Sequence, residues 1–255
     1  MNISIKGLGV TINDKEIVRN IDIDLQNKEF VGLIGPNGSG KSTILKTVYR
    51  SLKKTRGNIY FDGIDLENVK LIESARKLGV MKQISQLAFD FKVIDLVLLG
   101  RTPYKQQMEL DNADDYGLAR RALALVGMST FEERNYNDLS GGEQQRVMMA
   151  RVLAGQPKTL LLDELTNHLD VYYQFHLLNV VKNLQVEVLA VMHDLNMAAR
   201  YCDKIYCLAD GEIIAYGKTE DVLTSALIEK VFRIQASIIK SGDGKIQVIY
   251  NKIVN

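Results

Sequence analysis

A glycine-rich segment at residues 35–42, GPNGSGKS, restricts the fold of this chain more than any other feature. It matches in full the pattern G-x-x-x-x-G-K-[ST] of a phosphate-binding loop, and Thr43 follows it. The apolar run FVGLI at residues 30–34 precedes the loop. Apolar side chains recur at helical spacing after it, at Ile44, Leu45, Val48 and Leu52. The sequence therefore predicts a buried strand, a phosphate loop and a helix, in that order.

Each part of this loop suits a nucleoside triphosphate. Its glycines let the backbone curl so that successive N–H groups point inward, and the N-terminus of the following helix adds partial positive charge. Lys41 would neutralise the β- and γ-phosphates, and the Ser42 hydroxyl is a hard oxygen ligand suited to Mg²⁺. GTPases, kinases, helicases and transporters share this motif, so alone it predicts only that the chain binds a nucleoside triphosphate.

Two adjacent acidic residues end a second apolar run, TLLLDE at residues 159–164. Asp163 and Glu164 would then lie at the carboxyl end of a strand, where α/β sheets bind their ligands. We expect Asp163 to hold Mg²⁺ through water and Glu164 to act as the general base that polarises the attacking water. An isolated acidic pair is more often an exposed turn, but after a phosphate loop this pair indicates hydrolysis.

A second glycine turn occurs at residues 139–144, LSGGEQ, ahead of a helix predicted over residues 145–153. The N-terminus of a helix binds anions. Because one chain needs only one phosphate loop, this second turn would serve the nucleotide of a neighbouring subunit. The sequence therefore predicts a dimer.

The distribution of apolar residues predicts an α/β core interrupted by helices. Short Leu- and Val-rich runs at residues 159–162 and 186–192 are typical of buried parallel strands, and the helix between them makes a βαβ crossover. Further strands are predicted at EIIAYG and KIQVIY, around a helix near residues 220–232. We expect one domain over residues 1–255, with its core at 1–83 and 139–255 and a helical subdomain at 84–138.

Composition limits the partners and the location. Lys and Arg number 32 against 31 Asp and Glu, so no bulk charge attracts the chain to nucleic acid or anionic lipid. The apolar runs fall short of the ~20 residues that span a bilayer, and the N-terminus lacks the apolar region of a secretion signal. We expect a cytoplasmic protein whose Cys202 and Cys207 are reduced structural thiols and not metal ligands.

Four segments, GPNGSGKST, LSGGEQQRV, TLLLDELTNHLD and VMHDLN, occur in the order and at roughly the spacing of ATP-binding cassette (ABC) proteins. The chain resembles this family over nearly its whole length. The resemblance implies an α/β fold with a P-loop NTPase core of the RecA-like type, an antiparallel β subdomain and an inserted helical subdomain.

The resemblance also implies roles for particular residues. Glu164, His193 and Gln83 would be catalytic, with His193 contacting the γ-phosphate and Gln83 sensing it together with Mg²⁺. Asp170 would link the two sites of a dimer. Direct contacts with ATP would come from Ile12, Val18, Gly35, Pro36, Asn37, Gly38, Ser39, Gly40, Lys41, Ser42 and Thr43. The signature residues that close over the partner's ATP would be Ser140, Gly141, Gly142 and Glu143. The Mg²⁺ ligands would be Ser42, Gln83 and Asp163.

Three residues depart from the usual pattern of the family. Ile12 stands where an aromatic ring usually stacks on adenine, and losing an aromatic pair costs ~0.5 to 1.5 kcal/mol. That cost weakens binding by a factor of about 2 to 12, so ATP should still bind while base discrimination loosens. Leu165 and Lys82 each stand where proline is common, and both relax a fixed backbone φ.

Longer stretches such as VLLGRTPY at residues 97–104 and LDVYYQ at 169–174 resemble the ATPases of importers for iron-siderophore complexes, haem and cobalamin. This resemblance implies a homodimer at the cytoplasmic face of the membrane, a separate transmembrane permease and an extracytoplasmic substrate-binding protein. An exporter or another importer class remains an alternative. A nucleic-acid-associated ABC ATPase is more remote, because the chain has no coiled-coil insertion, zinc module or second cassette, and we expect no nucleic acid partner.

Overall fold

The computed structural model describes residues 2–82, 90–163, 165–166, 169–240, 242 and 244–254. These residues form two units, Met1–Asn68 with Glu187–Asn255, and Val69–Val186. Two of the predicted catalytic residues, Gln83 and Glu164, lie outside the described residues. The subdomain boundaries predicted from the sequence, at residues 84–138, stay a prediction.

Among the described residues, the first unit contains strands of three sheets, the helix that follows the phosphate loop and three further helices. With strands and helices numbered along the whole chain, its elements are β1 (Ile3–Ile12), β2 (Lys15–Leu25), β3 (Phe30–Ile34), α1 (Lys41–Val48), β4 (Arg56–Phe61), β5 (Ile64–Asp65), β8 (Glu187–Val191), α7 (Leu195–Tyr201), β9 (Lys204–Ala209), β10 (Glu212–Lys218), α8 (Thr219–Val222), α9 (Ser225–Phe232), β11 (Ile234–Lys240) and β12 (Ile246–Ile253).

Strand β3 lies in the middle of the sheet that leads to the phosphate loop. It pairs in parallel with β8 on one side and with β9 on the other, and β10 pairs antiparallel with β9. All five residues of β3 are buried, which explains why the strand is a continuous apolar run and not an alternating one. A second sheet is antiparallel, in the order β2-β1-β4-β5, as the expected β subdomain requires, and β11 pairs antiparallel with β12 in a third.

The second unit is mainly helical. Its elements are α2 (Leu71–Lys77), β6 (Leu78–Met81), α3 (Val93–Leu98), α4 (Ala113–Leu125), α5 (Gly141–Ala154), β7 (Thr159–Asp163) and α6 (Val171–Asn183), with 3-10 turns at Leu99–Tyr104, Ser129–Phe131 and Tyr136–Asp138. Strands β6 and β7 pair in parallel, and α3 and α4 pack on α5. Fully buried apolar side chains, including Val97, Leu123, Val147 and Met149, fill the space between these helices.

The strands predicted from apolar runs are confirmed, and two helix predictions are corrected. Helix α1 ends at Val48, so Leu52 lies beyond it, because Arg50 adopts a left-handed backbone with φ of 63°. The helix predicted near residues 220–232 is two helices, α8 and α9. Thr224 separates them because its hydroxyl accepts a hydrogen bond from Leu227 N at 3.2 Å and so starts a new helix.

Cys202 and Cys207 are both buried and not joined in a disulfide, as expected for structural thiols. Burial raises the pKa of the Cys207 thiol to about 11, so this group stays protonated at neutral pH. Within the described ranges, no helix is long and apolar enough to cross a bilayer.

A buried carboxylate joins the start of α4 to the preceding 3-10 turn. Asp115 accepts hydrogen bonds from Lys105 Nζ, from Arg101 Nε at 3.1 Å and from Asn112 N at 3.1 Å. The side chain of Asp115 is 6% exposed, and those of Lys105 and Arg101 are little more. The bond from Lys105 is the main reason that the pKa of Asp115 falls to about 2.

We expect Asp115→Asn to destabilise the protein by about 2 kcal/mol at pH 7, because a carboxylate with a lowered pKa stabilises the fold above its unfolded pKa. This difference should shrink as the pH falls from about 4 towards about 2, where the native carboxylate also becomes protonated. Urea unfolding at pH 7 and pH 3 measures it. The control is Asp114→Asn at the exposed neighbour, expected to cost a few tenths of a kcal/mol. If both variants lower the free energy of unfolding equally at pH 7, the Asp115 carboxylate does not have the stabilising role given to it here.

Candidate functional site

The phosphate loop takes a backbone path that only glycine allows. Gly35, Gly38 and Gly40 have positive φ angles of 143°, 79° and 99°. A Cβ atom on Gly35 would lie 2.0 Å from the carbonyl oxygen of Leu208, and one on Gly40 would lie 3.0 Å from Cγ2 of Val18. The loop is therefore fitted closely to its neighbours on two sides.

Lys41 lies at the centre of this loop, with 5% of the residue exposed. Its Nζ atom donates to the carbonyl oxygens of Gly35 at 2.9 Å and Pro36 at 2.8 Å, and to Ser39 Oγ at 3.3 Å. A buried ammonium requires such partners, and all of these lie within the loop itself. The cation is thus held where phosphate oxygens would meet it.

The first turn of α1 is open to an anion. Gly40 is the N-cap residue, no side chain caps the helix, and its first turn carries no acidic residue. The first N–H groups of a helix need acceptors and attract negative charge. Together with Lys41, they form a cradle that suits a phosphate group.

The donors predicted for Mg²⁺ are hard oxygen atoms. Ser42 lies in the first turn of α1, and Asp163 is the last residue of β7. Mg²⁺ is usually bound by one or two carboxylates together with phosphate oxygens and water. Among the residues that the structure describes, no group of three or more His, Cys, Asp or Glu side chains could hold a metal ion. A hydroxyl and a carboxylate are donors of the kind that Mg²⁺ takes beside phosphate oxygens, and binding of Mg²⁺ by Ser42 and Asp163 stays a prediction.

His193 follows β8 at the same edge of the sheet as the phosphate loop. Met192 N donates to Leu33 O at 3.0 Å, and Leu33 lies two residues before the loop. Asp194 caps α7, accepting from Asn196 N at 2.7 Å and Met197 N at 3.0 Å. The exposed His193 is therefore fixed between a strand-end hydrogen bond and a helix cap.

Ile12 and Val18 occupy different environments. Ile12 ends β1 opposite Lys15 and is 37% exposed, which leaves an aliphatic surface free to contact a base. Val18 is fully buried and lies against Gly40, so it supports the phosphate loop from behind. Contact of either side chain with ATP stays a prediction.

The LSGGEQ segment begins a helix four residues earlier than predicted. Ser140 is the N-cap of α5, and its N–H and hydroxyl donate to Glu143 Oε2 at 2.8 and 2.7 Å. The helix starts at Gly141 because this capping box satisfies its first turn. The same two hydrogen bonds lower the pKa of Glu143, so it is ionised at neutral pH. Gly141 and Gly142 thus place their N–H groups in the first helical turn.

Asp170 begins α6 in the same way, since its carboxylate accepts from Tyr173 N at 3.0 Å. Two glutamines donate hydrogen bonds to residues that precede it. Gln145 of α5 donates to Leu165 O at 2.7 Å, and Gln174 of α6 donates to Leu169 O at 3.0 Å. Leu165 is 3% exposed, so packing and a side-chain hydrogen bond fix the position where proline is usual.

Within the first unit the structure brings together the phosphate loop, Val18 and His193. The second unit contains Asp163, the turn at Ser140 and Asp170. Sequence reasoning missed Gly211, whose φ is 83° and whose Cβ would lie 2.5 Å from Ile17 O. Its own carbonyl accepts from Arg19 N at 2.7 Å, so it braces β2 beside Val18. The Asp-Gly pair before β10 is a turn signal that could have indicated this position.

Comparison with known proteins identifies the family. The family model described as ABC transporter matches residues 18–167. The hemin import ATP-binding protein HmuV of Gloeobacter violaceus is 38% identical over 92% of this chain and 88% of its own length. The petrobactin import ATP-binding protein FpuD of Bacillus anthracis is 35% identical over 91% and 87%. A bacterial ABC transporter cassette solved as a dimer is 29% identical, with a TM-score of 0.73 over 85% of this chain and 98% of its own.

This chain belongs to the ABC transporter family. Its fold is the α/β P-loop ATPase core of that family, as the sequence predicted, and it is a nucleotide-binding ATPase.

The glycine geometry gives a matched pair of variants. Gly35→Ala would force a methyl group against the backbone carbonyl of Leu208, whereas Gly38→Ala meets no atom within 4 Å and carries only the ~1 to 2 kcal/mol cost of a positive φ. We expect Gly35→Ala to weaken ATP binding at least about tenfold more than Gly38→Ala, a difference of ~1.4 kcal/mol. Titration with a fluorescent ATP analogue measures both affinities. Equal affinities would show that the contact with Leu208 does not shape the loop.

Proposed function

We propose that this ATPase energises the import of an iron-siderophore complex, haem or cobalamin through a separate transmembrane permease. The observation that carries the proposal is similarity over nearly the full chain, including the helical unit, to ATPases named for hemin and petrobactin import. The chain would act at the cytoplasmic face of the membrane, and the extracytoplasmic binding protein of the system would deliver the cargo. The cargo itself would not touch this chain.

Nucleotide binding begins at the loop around Lys41. The ammonium now shared by the carbonyls of Gly35 and Pro36 would turn to the β- and γ-phosphates of ATP, exchanging neutral acceptors for charged ones. The N–H groups at the start of α1 would take the β-phosphate. The rest of this site would be lined by the other loop residues, Pro36, Asn37, Gly38, Ser39, Gly40, Ser42 and Thr43. Ile12 would cover the adenine with aliphatic contact alone.

Hydrolysis would follow from the residues that the sequence predicts to be catalytic. Glu164 would take a proton from the attacking water, while His193 and Gln83 would contact the γ-phosphate. Ser42, Asp163 and Gln83 would hold Mg²⁺. When bound, Mg²⁺ neutralises charge that develops on the phosphates.

A second copy of the chain would complete each site. No nucleotide of the same chain requires the helix start at Ser140, Gly141, Gly142 and Glu143, whose first two residues are exposed and whose last two are half-buried. In a two-fold dimer, this turn would close over the ATP held by the partner's phosphate loop, with Asp170 beside it. The dimeric cassette to which this chain is similar supports the arrangement. Loss of the γ-phosphate would then let the two copies separate and move the permease.

Co-purification with activity tests the proposal. We expect a gentle membrane extract of the native host to yield a many-helix permease with the tagged chain. Glu164→Gln should still assemble but hydrolyse ATP at least about a hundredfold more slowly, because a general base contributes ~10² to 10⁴. The control is Glu73→Gln, an exposed residue at the start of α2, which should keep the parent rate. Recovery of only soluble or nucleic-acid-bound partners would contradict the transporter assignment and leave the ATPase assignment standing.

A further inference from the structure

One buried cation in the second unit has no role in the scheme above. Arg146, on the second turn of α5, is 5% exposed. Its Nη1 atom donates to Val126 O at 3.3 Å and Gly127 O at 3.1 Å, where α4 ends. Among the described residues it has no carboxylate within ion-pair distance, and its Nε atom has no hydrogen-bond partner. Burying a charge with so few partners costs free energy of folding. The contacts that Arg146 does make are therefore candidates for a role other than stability.

The main contact of this guanidinium is an aromatic face. Arg146 lies over the ring of Tyr173, with 3.7 Å between Cζ and the ring centroid. Arginine in a dry environment is attracted strongly to an aromatic face. The pair joins α5 to the first turn of α6, and His176 Nε2, one turn further along α6, lies 2.9 Å from Leu125 O. Both helices are thus attached to the carboxyl end of α4.

These contacts form a continuous connection between two turns of the candidate site. Ser140 caps α5 six residues before Arg146. At the other end, Tyr173 N donates to the Asp170 carboxylate, so one residue contacts Arg146 through its ring and Asp170 through its backbone. Gln145 adds a parallel connection through its bond to Leu165 O. The turn at Ser140 and the turn at Asp170 are therefore held by one set of packed groups.

We infer that Arg146 and Tyr173 are positioning residues that fix the Ser140 turn and the Asp170 turn of one subunit to each other. The inference rests on the proposed function, in which both turns face the partner subunit. If the two turns are one rigid element, they reach the partner's nucleotide in a single step of dimer closure. If they are separate, each must be ordered independently, and the closed dimer is weaker.

The affinity of the ATP-bound dimer is the direct readout. In a Glu164→Gln background, which preserves bound ATP, analytical ultracentrifugation with ATP and Mg²⁺ gives the dimer Kd. We expect Tyr173→Leu to raise this Kd about tenfold, which equals ~1.4 kcal/mol. Tyr173→Phe keeps the aromatic face, so its Kd should stay within about twofold of the background.

Arg146, the other residue of the pair, gives an independent variant. Arg146→Met removes the charge at similar volume, and it also removes the donor to the carbonyl oxygens of Val126 and Gly127. We expect a lower melting temperature, because those acceptors lose a hydrogen bond, together with the same roughly tenfold rise in dimer Kd. The double variant Arg146→Met with Tyr173→Leu should be no weaker than either single variant, because both delete one contact.

Nucleotide binding by the isolated subunit separates positioning from general damage. A fluorescent ATP analogue, titrated at a chain concentration far below the dimer Kd, should bind every variant within about twofold of the background. Any of three results would overturn the inference. They are a dimer Kd that Tyr173→Leu leaves unchanged, a double variant whose rise in Kd is the product of the two single rises, and a Tyr173→Phe variant whose Kd rises as much as that of Tyr173→Leu. Loss of monomer binding in parallel with dimer affinity would overturn it as well. If the Glu164→Gln background forms no ATP-dependent dimer while Tyr173 is intact, the dimer of the proposed function fails and the inference fails with it.

Discussion

The buried ammonium of Lys41, and the backbone turned towards it, is the interaction on which the rest of the site depends. A cation can stay buried there only because the loop directs the carbonyls of Gly35 and Pro36 at it. The loop can do so only because Gly35 passes against the backbone of Leu208 without a side chain. That approach requires β3 to lie between β8 and β9, and the continuous burial of β3 follows from its central position.

Helix caps position several of the predicted functional residues. Ser140 caps α5, Asp170 caps α6, and Asp194, next to His193, caps α7. A cap pairs an N–H group in the first turn that would otherwise lack a partner, and so it fixes where the helix begins. A variant of one of these caps therefore changes local stability as well as the predicted site.

The order of strand, loop and helix around residues 30–48 could be predicted because its signals are local: an apolar run, three glycines and a helical repeat. Boundaries were predicted less well where a cap decides them, as at Gly141 and Thr224. Strand β11 was missed because its residues IQASIIK, of which only Ala236 is buried, lack a clear alternation. The contact of Arg146 with Tyr173 could not be predicted, since it joins residues on different helices and neither one belongs to a local pattern.

In the proposed dimer, each working site is shared between two copies, with Lys41 from one and Ser140 from the other. Mixing Lys41→Ala and Ser140→Ala subunits tests it most directly, because a mixed dimer holds one site with both defects and one intact site. We predict that neither variant alone hydrolyses ATP appreciably and that an equal mixture recovers about a quarter of the parent rate, as half of the dimers are mixed and each has one intact site of two. No recovery in a mixture that demonstrably forms mixed dimers, or full activity of Ser140→Ala alone, would contradict the shared site.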